Sequence, residues 1–189
     1  IMKIIFAGKY CKNLNLKKFK KYKCQFIDEF EDYKKYLQDT DYIISYGYGN
    51  IFKDDALKKK IFNLHPSILP YGRGIYPIVW SIYYNNPIGY TIYQINSNKI
   101  DEGLMYSQKK IDYNENNTFK ELFIKITRAA EDDFCQNFEN YFMNTSSIEI
   151  KDNNNLNYKG KKDSKIVLQF LKNGWDTKIK DFLFYSKNT

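Results

Sequence analysis

Short hydrophobic runs alternate with polar segments from the start of the chain to His65. Four runs rich in β-branched and aromatic residues predict strands over 2–8, 23–30, 41–49 and 61–65. The polar segments between the later runs are predicted as helices, over 31–40 and 51–60. Because strands and helices alternate, the pattern predicts an α/β domain with a Rossmann-like, mostly parallel sheet flanked by helices.

The second half of the chain continues with both kinds of element. The predicted elements are a helix over 76–85, strands over 88–96 and 103–111, a helix over 118–143 and a helix over 165–174. Pro77 suits the first turn of its helix. Thr118 is the expected N-cap of the long helix, and Glu121 stands at the capping-box position. We therefore expect a main domain over 1–148 and a short extension over 149–189.

The composition excludes several classes of protein. Hydrophobic residues make up 43% and aromatic residues 18% of the 189 residues, which is enough to form a core and argues against disorder. No apolar run approaches the length of a membrane span, and the start of the chain does not resemble a secretion signal. We expect a cytoplasmic protein without a membrane partner. The three cysteines are widely spaced and the chain has one histidine, so we expect reduced thiols and no metal.

The chain carries a formal net charge of +8. An excess of positive charge favours a polyanionic partner, which is either a nucleic acid or a phosphorylated small molecule. A biased composition, with many Lys, Asn, Ile and Tyr residues, explains the charge equally well. Because Arg73 and Arg128 are the only arginines, and readers of nucleic acids rely on arginine, we do not expect nucleic-acid binding.

Candidate chemistry lies at the end of the strand over 61–65. Asn63 and His65 are two apart, so their side chains point to the same face of the strand. In parallel sheets, ligands bind outside the carboxyl ends of the strands. Asp101 lies in a loop before Gly103. Each residue alone has an ordinary structural explanation, as a hydrogen-bonding histidine, a loop asparagine or a turn aspartate.

Together these residues belong to a longer pattern. FNLHPSILP is followed in order by RG, P, W, IGYTI and IDEG. The pattern resembles the folate-dependent formyltransferases, whose motif is Asn-x-His-x-Ser-x-Leu-Pro followed by an Asp-x-Gly loop. The matching positions are Asn63, His65, Ser67, Leu69, Pro70, Asp101 and Gly103. The resemblance extends over residues 41–135 and implies the formyltransferase fold, here shortened at the N-terminus.

The resemblance implies an enzyme that transfers a formyl group from 10-formyltetrahydrofolate to an amine, with Asn63, His65 and Asp101 as the catalytic residues. The amine must be neutral to attack, and His65 suits the role of base. Asn63 can donate its amide N–H to the formyl oxygen as negative charge develops there. Asp101 can pair with His65, or position a water that relays the proton. The resemblance implies no metal.

Binding residues are also implied by the resemblance. In the relatives, the loop before the catalytic strand holds the pteridine ring largely through backbone groups, which corresponds here to Tyr48, Gly49, Asn50 and Ile51. On the substrate side the implied residues are Tyr71, Arg73 and Trp80. Arg73 has two open interpretations, a contact to a substrate carboxylate or phosphate and a surface ion pair. The spacing around Trp80 favours core packing instead.

The stretch RGIYPIVWSIYYNNPIGYTIYQI is most similar to the sugar N-formyltransferases. This implies a nucleotide-linked amino sugar as the acceptor, with a 4-amino-4-deoxy sugar expected, in polysaccharide biosynthesis. From the length of the extension over 149–189 we expect no separate tRNA-binding domain. Another amine, water, or folate or nucleotide binding without catalysis remain alternatives, and the apolar tail helix makes a homodimer possible. Tyr93 stands where relatives often have histidine, and we do not predict a catalytic role for it.

Overall fold

The computed structural model describes residues 1–146, 148–152 and 157–188, and for Asp54 the backbone alone. The strands are Lys3–Ala7 (β1), Lys23–Ile27 (β2), Tyr42–Ser45 (β3), Lys60–His65 (β4), Arg73–Gly74 (β5), Gly89–Ile95 (β6), Gly103–Lys110 (β7), Glu149–Ile150 (β8) and Tyr158–Lys159 (β9). The α-helices are Pro77–Tyr83 (α1), Phe119–Met143 (α2), Lys165–Leu168 (α3) and Ile179–Lys187 (α4).

A seven-stranded sheet in the order β2-β1-β3-β4-β6-β7-β8 forms the centre of the domain. β2, β1, β3 and β4 are parallel, whereas β6, β7 and β8 continue the sheet antiparallel. The inner strands β1 and β3 are almost continuously apolar because both of their faces are covered, whereas the edge strand β2 alternates exposed and half-buried residues. The predicted α/β class and the parallel arrangement of the first four strands are confirmed.

The long helix α2 covers one face of the sheet. Thr118 accepts a hydrogen bond from the backbone of Glu121, and the Glu121 carboxylate accepts one from the backbone of Thr118, so the predicted capping box is present. Leu122, Ile126 and Phe134 project from α2 into the main hydrophobic core. The helix thus forms because its N-terminus is capped and one face is continuously apolar.

The opposite face carries single 3₁₀ turns where two helices were expected. The predicted helix over 31–40 is reduced to Tyr33–Tyr36, and the one over 51–60 to Asp54–Lys58. Tyr33 is buried in this turn, and Tyr36 and Leu37 pack against the same core cluster, so the apolar spacing is present and a single 3₁₀ turn is enough to bury it. Both helix predictions were therefore wrong in type and length.

The C-terminal segment packs onto the domain. β8 forms one edge of the main sheet, and β9 pairs with β5 in a separate two-stranded sheet. The predicted helix over 165–174 ends at Leu168, and a helix that we did not predict, α4, follows it. Phe182 of α4 packs edge-on against Phe119, with ring centroids 5.1 Å apart. Across the described ranges, no helix is both long enough and apolar enough to cross a membrane.

Candidate active site

The carboxyl end of β4 carries the two predicted residues of the motif. Ser45 at the end of β3 is paired with Asn63, so both strands end at the same edge of the sheet. On the other side, the antiparallel pairing with β6 sets Asn63 opposite Tyr93 and His65 opposite Thr91. The two side chains therefore lie where a parallel sheet normally binds its ligand.

His65 is buried, and both of its ring nitrogens lie near oxygen acceptors. Nε2 is 2.9 Å from the carbonyl oxygen of Gly72. Nδ1 is 3.5 Å from Oδ1 of Asp101. Because a carbonyl can only accept, Nε2 carries a proton and donates it to Gly72, which leaves Nδ1 as the ring atom that can take up a proton.

Asp101 is held by contacts to both of its carboxylate oxygens. Oδ2 accepts a hydrogen bond from the backbone N–H of Gly74 over 2.7 Å, and Oδ1 accepts one from the Tyr93 hydroxyl over 2.9 Å. The backbone of Asp101 is left-handed, with φ of 53°, a conformation that aspartate tolerates better than most residues. The loop geometry thus directs this carboxylate toward His65.

Tyr93 connects Asn63 to Asp101. The Asn63 amide nitrogen donates to the Tyr93 hydroxyl over 3.0 Å, and that hydroxyl donates to Asp101. Burial first, and the nearby Asp101 charge second, raise the pKa of Tyr93 well above its ordinary value, so the hydroxyl keeps its proton. We did not predict this role. Two sequence features could have indicated it: Tyr93 carries a hydroxyl on an inward-facing strand position, and relatives often have a histidine at that position.

Hydrogen bonds within the loop after β4 explain the serine of the motif. The Ser67 hydroxyl donates to the carbonyl of Tyr71 over 2.6 Å, which closes the loop. Thr91 donates its hydroxyl to the carbonyl of Ser67 and accepts from the backbone N–H of Leu69. These bonds anchor the loop to β6 and bring the Gly72 carbonyl to His65.

Arg73 is 2% exposed and binds groups of the chain itself. Its guanidinium donates twice to the carbonyl of Ile100, over 2.9 and 2.6 Å. It also lies 3.1 Å from Glu102 and 3.0 Å from Asp152, and 5.9 Å from the centre of the Tyr158 ring. Neither open interpretation matches this arrangement, because the ion pair is buried and the acceptors are internal. Arg73 instead fixes the residues on both sides of Asp101.

The other predicted substrate residues differ in exposure. Trp80 is 1% exposed and lies in the main core, stacked on Tyr84 with ring centroids 5.7 Å apart. This burial favours the packing role that its helical spacing suggested. Tyr71 is 37% exposed beside the loop closed by Ser67, so its ring is available at the surface.

The predicted folate loop follows β3 at the same sheet edge. A Cβ on Gly49 would lie 2.2 Å from the Phe30 ring, so a side chain here would have to displace this exposed ring. The Tyr48 hydroxyl donates to the carbonyl of Glu31 over 2.6 Å, which turns its ring inward. Ile51 is 45% exposed, and its backbone N–H has no hydrogen-bond partner among the described residues. The loop therefore offers backbone groups and apolar surface, which fits a flat heterocycle.

An aromatic surface near this edge was not predicted. It is formed by Lys9, Tyr10, Tyr76, Phe123 and Trp175. Adjacent rings lie 5.6 to 6.3 Å apart between centroids, and the Lys9 ammonium lies 5.3 Å from the centre of the Tyr10 ring. Tyr76 follows Gly74, the residue that binds Asp101, by two positions. The surface therefore borders the site, and Trp175, at 39% exposure, is its most accessible aromatic residue.

The cysteines lie outside the proposed site, and Cys11 and Cys135 are buried. Burial raises the pKa of the Cys11 thiol to about 12. Cys11, Cys24 and Cys135 are all free thiols in this structure. Within the described part of the chain, no three His, Cys, Asp or Glu residues are arranged to hold a metal ion.

The fold and the site define a Rossmann-like α/β domain with a polar asparagine, histidine and aspartate group at its carboxyl sheet edge. The formyl transferase family model matches residues 9–136. Because the matched residues make up more than half of the chain, this chain belongs to the formyl transferase family.

Two curated relatives are longer than this chain. It is 37% identical over 103 residues to the bifunctional polymyxin resistance protein ArnA of Wigglesworthia glossinidia brevipalpis, a match covering 52% of this chain and 15% of ArnA. It is 30% identical over 138 residues to methionyl-tRNA formyltransferase of Pelagibacter ubique, covering 71% of this chain and 44% of that enzyme. The matches thus span less than half the length of both proteins.

A solved structure matches nearly end to end. It is the formyltransferase PseJ from Anoxybacillus kamchatkensis, in complex with UDP-4,6-dideoxy-4-formamido-L-AltNAc and tetrahydrofolate. The TM-score is 0.84 and the sequence identity 28%, with 95% of this chain and 97% of PseJ covered. The formyltransferase fold predicted from the sequence is therefore confirmed.

Proposed function

We propose that the protein is a folate-dependent N-formyltransferase. It moves the formyl group of 10-formyltetrahydrofolate to the amine of a nucleotide-linked amino sugar, with a 4-amino-4-deoxy sugar as the acceptor. The observation that carries the proposal is the convergence of Asn63, His65 and Asp101 at the sheet edge of a formyl transferase family member. PseJ, whose structure holds tetrahydrofolate and a UDP-linked 4-formamido sugar, supports the donor and the acceptor class.

The folate is proposed to bind against Tyr48, Gly49, Asn50 and Ile51. The exposed backbone of this loop can supply donors and acceptors to the edge of a pteridine ring. Bound there, 10-formyltetrahydrofolate would supply the formyl group: the amine would form a bond to the formyl carbon, the bond from that carbon to N10 of the folate would break, and the proton lost by the amine would end on N10. The loop lies beside the catalytic strand because β3 and β4 are paired neighbours.

His65 is proposed to accept a proton from the attacking amine, and Asp101 is proposed to stabilise the protonated His65. Nε2 of His65 is already bonded to Gly72, so Nδ1 is the atom that takes up the proton. The Asp101 carboxylate, 3.5 Å away, stabilises the charge that appears on the ring. The short loop contacts of Asp101 keep this carboxylate in place during the reaction.

Asn63 is proposed to stabilise the formyl oxygen. One N–H of its amide is bonded to Tyr93. The second N–H has no partner among the described residues and can donate to the negative charge that develops on that oxygen. A donor fixed in advance stabilises the transition state more than the ground state, because it needs no reorientation.

The aromatic surface is proposed to receive the nucleotide of the acceptor, with Tyr71 also on the acceptor side. Trp175 and Tyr76 offer flat faces to a base. The Lys9 ammonium, which is half exposed and paired with Glu29 over 3.0 Å, is the cation of this surface and can turn to a phosphate. Arg73 and Trp80 support the site from the interior. The homodimer and the cytoplasmic location stay predictions.

A formyl-transfer assay tests the proposed function. The protein is incubated with 10-formyltetrahydrofolate and a panel of UDP- and dTDP-linked 3-amino and 4-amino sugars, and release of tetrahydrofolate is followed. Release that depends on a 4-amino sugar supports the proposal. Release without any acceptor indicates a hydrolase, and release that depends on a different amine overturns the acceptor assignment.

Tryptophan fluorescence tests the nucleotide site separately. Trp175 is 39% exposed and Trp80 is 1% exposed, so a bound base is expected to quench Trp175 alone. Titration with UDP and dTDP should therefore give saturable quenching in the wild type, and Trp175→Phe should abolish it. Unchanged quenching in Trp175→Phe would contradict a nucleotide site on the aromatic surface.

A further inference from the structure

The hydroxyl of Tyr93 lies between two of the proposed catalytic residues. It is 3.0 Å from Nδ2 of Asn63 and 2.9 Å from Oδ1 of Asp101, and the residue is 1% exposed. Packing of the ring against Leu69 and Ile150 accounts for its burial. Packing does not require a hydroxyl at this place, so the two hydrogen bonds need their own explanation.

The direction of these hydrogen bonds is set by chemistry. An ionised carboxylate can only accept, so the Tyr93 proton points to Asp101. The Tyr93 oxygen must then accept from the amide nitrogen of Asn63. This arrangement selects one of the two orientations of the Asn63 amide, the one in which Nδ2, and not Oδ1, faces the Asp101 side of the site.

We propose that Tyr93 is a positioning residue for formyl transfer, which locks the donor orientation of the Asn63 amide and the place of the Asp101 carboxylate. This inference rests on the proposed function, because it gives Tyr93 its effect through Asn63 and Asp101. Without the hydroxyl, the Asn63 amide can turn its Oδ1 toward the formyl oxygen, where it would repel the developing charge. Asp101 would also lose the hydrogen bond to Oδ1.

Tyr90 offers a matched control on the same strand. It is also 1% exposed, and its hydroxyl also donates to a buried aspartate, Asp133, over 2.7 Å. Asp133 belongs to the α2 side of the sheet and has no place in the proposed chemistry. Tyr90→Phe and Tyr93→Phe therefore remove the same kind of buried group, and they differ in whether the catalytic residues lose a partner.

The experiment compares kcat, KM and melting temperature of wild type, Tyr93→Phe and Tyr90→Phe with the acceptor found in the assay. We expect Tyr93→Phe to lower kcat by about tenfold or more while both KM values stay within about twofold. Tyr90→Phe should keep kcat within about twofold of the wild type, even if its melting temperature falls by as much as that of Tyr93→Phe. Equal kcat values in the two variants would overturn the proposal.

A double variant tests the route through Asn63. If Tyr93 acts by orienting the amide, Tyr93→Phe should lower kcat much less in an Asn63→Ala background than in the wild type, because coupled residues are not additive. The same fold-loss in both backgrounds would overturn the part of the proposal that concerns Asn63.

A measurement that does not depend on catalysis tests the positioning role of Tyr93 independently of the proposed function. If no acceptor supports turnover by the wild type, the proposed function fails, and NMR still tests the positioning. The chain has a single histidine, so the His65 ring signals are assigned without ambiguity, and the Asn63 amide signals are assigned by their loss in Asn63→Ala. Tyr93→Phe should shift both sets, whereas Tyr90→Phe should shift neither. Unchanged signals in Tyr93→Phe would overturn the proposal.

Discussion

The guanidinium of Arg73 lies 3.0 Å from the carboxylate of Asp152, and both side chains are buried. Arg73 also donates twice to the carbonyl of Ile100, next to Asp101. Asp152 in turn accepts a hydrogen bond from the backbone of Asn157 over 2.7 Å. The C-terminal segment is thereby connected to the loop that carries a proposed catalytic residue, and loss of this connection should affect the site.

Asp152→Ala is therefore expected to lower both stability and turnover. Removing one partner leaves the Arg73 charge buried with less compensation, which typically costs about 3–5 kcal/mol. Urea unfolding followed by circular dichroism measures the loss. Lys151→Ala is the matched control, because the neighbouring lysine forms an exposed ion pair with Glu149 and its removal should change stability little. Equal unfolding midpoints for the two variants would contradict a structural role for the buried pair.

Replacement of the three proposed catalytic residues should reduce turnover without unfolding the protein. Asn63→Ala is expected to lower kcat by roughly 10²–10³, the usual effect of losing one oxyanion donor. His65→Ala and Asp101→Ala should lower it by about 10²–10⁴, the range typical of general acid–base groups. Release of tetrahydrofolate at saturating donor and acceptor measures the effect, with circular dichroism as the folding control. Full activity in His65→Ala would exclude the proposed base.

Gly74 is expected to tolerate no side chain. Its φ is 89°, and an added Cβ would lie 2.2 Å from the carbonyl oxygen of Lys159 in β9. Since the Gly74 N–H also binds Asp101, Gly74→Ala should displace the carboxylate and lower kcat. Gly160→Ala is the control, because the nearest atom to its Cβ would be 3.5 Å away and should leave kcat unchanged. The same assay measures both variants, and equal kcat values would contradict this explanation.

The sequence was sufficient to predict the parallel strands and to select three residues, Asn63, His65 and Asp101, that the fold brings together. Asn63 and His65 share one strand end, and the pattern around Asp101 resembles that of a known family. The role of Tyr93 was not predictable in this way, because it depends on the antiparallel register that sets Tyr93 opposite Asn63. Local patterns do not fix the pairing of strands that are distant in sequence.

The same limit applies to the tail and to the short turns. One partner of Arg73 is Asp152, which follows it by 79 positions, and no local pattern relates the two. The segment around Tyr33 has many good helix formers, yet tertiary packing supports a single 3₁₀ turn there. Helix propensity is a weak predictor of structure, because contacts that form only in the folded chain determine whether a helix or a single turn is stable.

Asp133 provides a test of stability against pH. Its buried carboxylate accepts hydrogen bonds from the hydroxyls of Ser107, Tyr90 and Tyr141 and from the Asn137 amide. Burial alone would raise the pKa of Asp133, but these hydrogen bonds outweigh it and lower the pKa below its usual value. The folded state therefore binds this proton less readily than the unfolded chain does.

A lowered pKa in the folded state stabilises the protein above the pKa of the unfolded chain, which is about 3.9 for aspartate. This contribution is lost as the pH falls through the lower pKa of folded Asp133. Asp133→Asn should thus be less stable than wild type at pH 7, by about 3 kcal/mol for a buried acceptor with several donors, and the difference should shrink as the pH falls below about 4. Urea unfolding at a series of pH values measures this, with the exposed neighbour Asp132→Asn as the control. A difference that is constant with pH would show that packing, and not ionisation, explains the role of Asp133.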